Sequence, residues 1–141
     1  MEIIVTIAGT PTRFKKTGGT MRKYKSRFGR EWFADLDRIA RMQRKAAETA
    51  KAEGLDITKA SKKKSDKMTD DEVFALASAV AQYDSTPFYD MLYMMAKEAD
   101  ISIPDNVEDW LDTFEDFPYL QVWGEVYPML SREMAVDKKN A

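Results

Sequence analysis

Polar and apolar positions alternate only at the very start of the chain. Ile3 to Ala8 is rich in β-branched residues and is followed by Gly9-Thr10-Pro11, which is turn chemistry. The pattern therefore predicts a strand leading into a second short strand around Thr12 to Lys16. A lone hairpin is marginal in water, so this one must lean on helices. After Gly18-Gly19 the period changes. Thr20 is placed to cap a helix in which Met21, Tyr24 and Phe28 share a face, and Gly29 stands where a left-handed C-terminal turn calls for glycine. From Arg30 a second helical stripe runs through Trp32, Phe33, Leu36, Ile39 and Ala40, and it fades past Met42. Arg44 to Glu53 has helix propensity with little to bury, and Gly54 is expected to end it.

Residues 54–67, with Lys62-Lys63-Lys64 among Ser and Asp, have a composition that cannot build a core and are expected to form a flexible basic linker. Thr69-Asp70-Asp71-Glu72 is a strong helix start, with a threonine cap, a glutamate three residues on and acids beside the positive end of the dipole. Val73, Leu76, Val80 and Tyr83 form its stripe. Thr86-Pro87 restarts a helix whose buried face is expected to hold Phe88, Met91, Leu92, Met95 and Ala99. An acidic helix follows, with Val107, Trp110, Leu111 and Phe114 at i, i+3, i+4, i+7. The last helix, after Pro118, sets Val122, Val126, Met129 and Leu130 on one side and Leu120, Trp123 and Tyr127 on another. Being apolar on more than one face, it is expected to be covered twice, once by its own core and once by a partner. Asp137 to Ala141 reads as a polar tail.

Charge sharpens this picture, because it is sorted along the chain. Residues 1–67 hold 18 of the 22 Lys and Arg against 8 of the 24 Asp and Glu, a balance of +10; the remainder holds 4 against 16, a balance of −12. The net −2 hides a strong dipole, able either to hold the molecule together or to join copies basic end to acidic end. Composition also removes chemistries. There is no cysteine and no histidine, which excludes disulfides, thiolate and histidine metal sites, and the triads built on histidine. No run approaches the length needed to span a bilayer, and the start lacks the plan of a signal peptide, so a soluble protein that stays where it is made is expected.

The densest chemical cluster is MRKYKSRFGREWFADL, residues 21–36, where cations at 22, 23, 25, 27 and 30 interleave with Tyr24, Phe28, Trp32 and Phe33. Two arrangements fit: basic groups and rings together on a surface that grips a single-stranded nucleic acid, or rings in the core with the cations on the wet face between them. The carboxylates at 105, 108, 109 and 112 have helical spacing that suits a solvated face, and no calcium-loop pattern or phosphate loop accompanies them. No metal, cofactor or catalytic residue is expected. Among the methionines, Met91 and Met95 lie on the apolar stripe, whereas Met94 lies off it and is the candidate for an adaptable groove. Trp123 and Tyr127 are candidate interface anchors, plain core burial being the other reading for Trp123, with Arg22, Lys23, Arg27 and Arg30 as the basic counterpart.

The N-terminal strand with GGTMRKYKSRFGREWFADL, and the distant IPDNVEDWLDTFEDFPYLQVWGEVYPML, resemble the tail assembly chaperones of long-tailed bacteriophages and prophages. The likeness covers both ends of the chain, about two thirds of it, and leaves out the basic middle. It implies a non-catalytic factor of the host cytoplasm, absent from the finished virion, that binds and solubilises the tape measure protein, self-associates along it and recruits tail tube protein. The family is often made in two forms by ribosomal frameshifting, and Lys138-Lys139-Asn140 is a run that a slippery heptamer can encode. A chain of two opposite charges offers the non-closing head-to-tail contact that coating a filament requires. None of the candidate partner residues is assigned by the family motif. The reading from another class is a small nucleic-acid-binding phage or bacterial protein using the basic aromatic cluster.

The fold expected is α+β and mainly helical, a short N-terminal β-hairpin packed on a bundle of about six helices. One domain is expected over 1–141: a basic hairpin and helices to about 53, the linker at 54–67, and an acidic helical part over 68–136.

Overall fold

Met1 and Lys16 exchange both backbone hydrogen bonds, 2.9 and 3.0 Å long, and they close the open end of an antiparallel hairpin. Its strands are β1 (Glu2–Ile7) and β2 (Thr10–Lys15), paired in the register Ile3↔Phe14, Val5↔Thr12 and Ile7↔Thr10. The turn is two residues, Ala8 and Gly9, both at positive φ, which is the type I′ geometry whose twist matches the strands. It thus falls one residue earlier than the sequence pattern suggests, and Pro11 joins β2. Bonded pairs alternate with unbonded ones, and Thr6↔Pro11 is an unbonded step, so the missing proline N–H costs no ladder bond. Val5, Ile7 and Phe14 are buried on one face.

The computed structural model describes residues 1–52, Gly54 and 69–140, the last nine as backbone alone. It holds six helices among the described residues: α1 (Thr20–Phe28), α2 (Trp32–Ala52), α3 (Asp70–Val80), α4 (Thr86–Ala99), α5 (Val107–Leu111) and α6 (Tyr119–Asn140). The fold is α+β and mainly helical, with the expected N-terminal hairpin. Apart from Gly54, the linker expected at 54–67 lies outside the described residues. The last helix continues to Asn140 where a polar tail was expected from 137.

By internal contacts the chain divides into two units, Met1–Trp32 with Phe88–Ala141, and Phe33–Pro87. This division does not follow the division by charge. The first unit therefore contains both the basic α1 and the acidic α4 to α6. Within it β1 runs against α6, and α4 is apolar and buried nearly all round, from Phe88 through Ala96, as befits a central helix. An aromatic cluster surrounds Trp110, which meets Phe14, Tyr93, Phe114 and Phe117 edge-on at 5.2–6.4 Å between ring centres. α5 stops at Leu111, so Phe114 joins that cluster from a turn and not from the longer helix expected.

Local signals at the helix ends behave as their chemistry requires, with one exception. Gly29 takes φ 74° and its N–H donates to the Lys25 carbonyl at 2.8 Å. Thr20 does not cap α1. It is buried as the first helical residue, and its Oγ1 accepts from the Thr17 N–H at 2.8 Å, closing the preceding turn.

In the second unit, Thr69 and Glu72 form a full capping box at the start of α3, the Thr69 Oγ1 accepting from the Glu72 N–H at 3.1 Å. The core here is built from Ala46 and Ala50 of α2 with Ala79 of α3, and Tyr83 packs against it. The α2 stripe does not end at Met42, as its loss of large residues implied; it continues in alanines, which bury little area but let two helices approach closely. On α3 the buried side is likewise Ala75 and Ala79, so Val73 turns outward and Phe74 is 70% exposed. Phe33 of α2 is exposed as well, whereas Asp35 is buried.

Candidate functional site

Of the four basic candidates, Arg22, Lys23 and Arg27 on α1 and Arg30 just after it, three are engaged inside the first unit. Lys23 Nζ stands 3.0 Å from a carboxylate oxygen of Glu98. Arg27 donates from Nη1 to the Asp105 carbonyl at 2.6 Å, with its guanidinium 5.2 Å from the centre of the Tyr93 ring. Arg30 pairs with Asp90 and donates to the Tyr24 hydroxyl at 3.2 Å. Arg22 is exposed with no ion pair among the described residues. Tyr24 and Trp32, the rings between these cations, are buried, edge-on to one another at 5.4 Å. Of the four rings in residues 21–36, Tyr24 and Trp32 are thus inside, Phe28 is half-buried and Phe33 is exposed.

The apolar candidates separate in the same way. Tyr127 is 42% exposed on α6, on the same side of the helix as exposed Gly124 and Pro128. Trp123 is 1% exposed, packed edge-on against Phe88 at 5.5 Å, so the core reading is correct for it and the anchor reading is not. Met94 is 5% exposed and so lines no open groove among the described residues; being off the sequence stripe did not free it, because α4 is buried nearly all round from Phe88 through Ala96. On the second apolar face of the last helix, Trp123 is buried, Leu120 half-buried and Tyr127 exposed.

The loop between α4 and α5 is a built structure. Lys97, at the C-terminal end of α4, spends all three ammonium donors on it, reaching the Ile101 carbonyl at 3.0 Å, the Ile103 carbonyl at 2.7 Å and the Asp105 carboxylate at 3.0 Å. Tyr93 donates to the Pro104 carbonyl at 2.7 Å. Ser102 donates to Asp100 from both its N–H and its hydroxyl, at 2.9 and 2.6 Å. These Ser102 bonds hold the Asp100 carboxyl below its ordinary range, and the Lys97 ammonium does the same for Asp105. Sequence reasoning passed over Lys97. The signal was present: it is the sole Lys or Arg between residues 68 and 131, placed in the last turn of a helix, where a cation finds free carbonyls.

Beside this loop lies a cleft of about 360 Å³, walled by Thr10 to Arg13 of β2, by Ala96 and the 100–104 loop, and floored by Trp110 and Phe114. Its lining is mixed, with Pro11, Ala96, Ile103, Pro104, Trp110 and Phe114 supplying apolar surface and Thr10, Thr12, Arg13, Asp100, Ser102 and Thr113 supplying polar groups. Arg13 is already paired with Glu2 at 2.6 Å. Ile101, next to the cleft wall, is 86% exposed. Among the described residues no helix is long and apolar enough to cross a membrane. No protein-family model, no curated protein and no solved structure matches the chain.

Proposed function

We propose that the chain is a tail assembly chaperone of long-tailed bacteriophages or prophages, a non-catalytic factor that binds and solubilises the tape measure protein, self-associates along it and recruits tail tube protein. In this reading it works in the bacterial host cytoplasm and leaves before the virion is complete. One observation carries most of the support beyond the resemblance itself. The two distant segments on which the resemblance rests are joined directly, Arg27 of the first bonding the Asp105 carbonyl of the second, with Tyr93 between Arg27 and Trp110. A direct contact places both segments in one folded unit, the arrangement that a shared fold would require of them.

Exposed apolar side chains supply the chemistry that holding an apolar client requires. Tyr127, Ile101, Ile4, Phe33 and Phe74 all stand out from the surface. Charge contributes less to self-association than the bare sequence suggests, because Lys23, Arg27 and Arg30 already have partners. The nucleic-acid reading gains no comparable support, since Tyr24 and Trp32 are turned inward.

Co-expression tests the proposal. A tape measure protein fragment should become soluble and co-elute with the chain on size-exclusion chromatography. A fragment that stays insoluble and uncomplexed would sink the reading, as would a gene neighbourhood of replication or repair functions in place of a tube gene upstream and a long helical gene downstream.

A further inference from the structure

We infer that the open edge of β2, together with the cleft beside it, is a strand-addition site for an extended peptide with alternating apolar residues and basic flanks. The bonded steps of the hairpin are Met1↔Lys16, Ile3↔Phe14, Val5↔Thr12 and Ile7↔Thr10. Parity therefore turns the N–H and C=O of Arg13, and the C=O of Pro11, away from β1. Among the described residues nothing bonds these groups, and Arg13 is exposed. An unpaired strand edge selects another extended chain, since only that offers donors and acceptors at matching intervals.

The cleft lies on this same side. Four consecutive β2 residues, Thr10 to Arg13, line it, and no β1 residue does. Its floor of Trp110 and Phe114 suits apolar side chains at every second position of an added strand. Charge then chooses the flanks. Arg13 is already paired with Glu2, Asp100 lines the cleft, and Glu108 and Asp109 on α5, with Asp112 just after it, are exposed acids of the neighbouring segment. A second copy of β2 is the wrong occupant, because antiparallel pairing through the outward groups of Arg13 would set that arginine directly opposite its counterpart. The inference holds whichever protein supplies the segment, so it does not depend on the chaperone reading.

The probe is the fluorescein-labelled peptide Lys-Thr-Ile-Thr-Ile-Thr-Lys, followed by fluorescence anisotropy with the whole chain. Saturable binding is expected, with the Arg13 amide gaining protection from hydrogen exchange. Arg13→Pro removes the outward donor at a step that β1 does not use, and it should weaken binding by about tenfold. Arg13→Gln keeps the donor and should stay within about twofold. N-methylation of the peptide's central amides reads the same bonds without altering the fold, and replacing its lysines by glutamates should weaken it. The inference fails if the peptide does not bind, if N-methylation is without effect, if Arg13→Gln loses as much as Arg13→Pro, or if the glutamate peptide binds equally well. A concentration-dependent dimer that Arg13→Pro abolishes, with no peptide bound, would give the edge to a second copy.

Discussion

Arg30 meets Asp90 sixty positions further along the chain, and the pair ties the turn after α1 to the first turns of the buried helix α4. The Arg30 guanidinium also donates to the Tyr24 hydroxyl and lies 5.7 Å from the centre of the Phe28 ring. One planar group thereby gathers Tyr24, Phe28 and Asp90. The Asp90 side chain is 11% exposed against 29% for Arg30, so solvent screens the pair only in part.

Removing either partner should therefore be felt. Arg30→Ala is expected to cost about 2 kcal/mol, below the value for a fully buried pair. Arg30→Lys should recover only part of that, since a point charge cannot serve both acceptors as the fork does. Urea unfolding of Arg30→Ala, Asp90→Ala and the double variant checks this, and the double should cost less than the two singles added.

Gly29 gives a cleaner measurement, because nothing lies within 4 Å of where its Cβ would stand. Gly29→Ala then reports the left-handed backbone alone, with an expected loss of about 1 kcal/mol, and Gly29→Asn should lose less. A change near zero in the unfolding midpoint would mean that α1 ends differently in solution.

Acid should lower stability modestly through exposed carboxylates held in their ionised form. Asp100 is kept low chiefly by Ser102, Asp105 by Lys97 and Glu2 by Arg13. Each has a folded pKa depressed from an ordinary 3.8 or 4.5. Their contribution is present above those ordinary values and is lost as pH falls through the depressed ones. With no histidine in the chain, the urea midpoint should vary little between about pH 5 and pH 8. Lys97→Met should return the Asp105 titration, followed by carboxyl NMR shifts, toward 3.8.

Trp123 and Tyr127 are neighbours on α6 with different fates, and substitution should separate them. Trp123→Ala opens a cavity and is expected to cost about 3–5 kcal/mol. Trp123→Phe should cost far less than that, because the buried indole N–H has no hydrogen-bond partner among the described residues and its loss offsets part of the missing volume. Tyr127→Ala should change stability by about 0.5 kcal/mol or less, while weakening capture of a tape measure fragment if the proposed function holds. Thermal melts beside a pull-down distinguish the two effects.

Much of this architecture was legible residue by residue. The hairpin, the capping box at Thr69 and Glu72, the left-handed end at Gly29 and the apolar face of α4 each depend on atoms within one or two turns of chain, and so can be read in a linear string. Alanine defeats that reading. Ala46, Ala50 and Ala79 make a core with too little apolar area to register as a stripe, and the same shortage concealed which side of α3 faces inward.

The amino-acid order by itself determined the element types, most of their ends, the absence of histidine and cysteine chemistry, and the segregation of charge. Tertiary structure alone decided where those charges and rings are used. Lys23, Arg27 and Arg30 find their partners 60–78 positions away, and the burial of Met94 and Trp123 depends on elements that surround them in space. Long side chains choose among everything that folding brings within reach. That set does not exist until the chain has closed on itself, whereas a cap or a turn is complete as soon as its own few residues are in place.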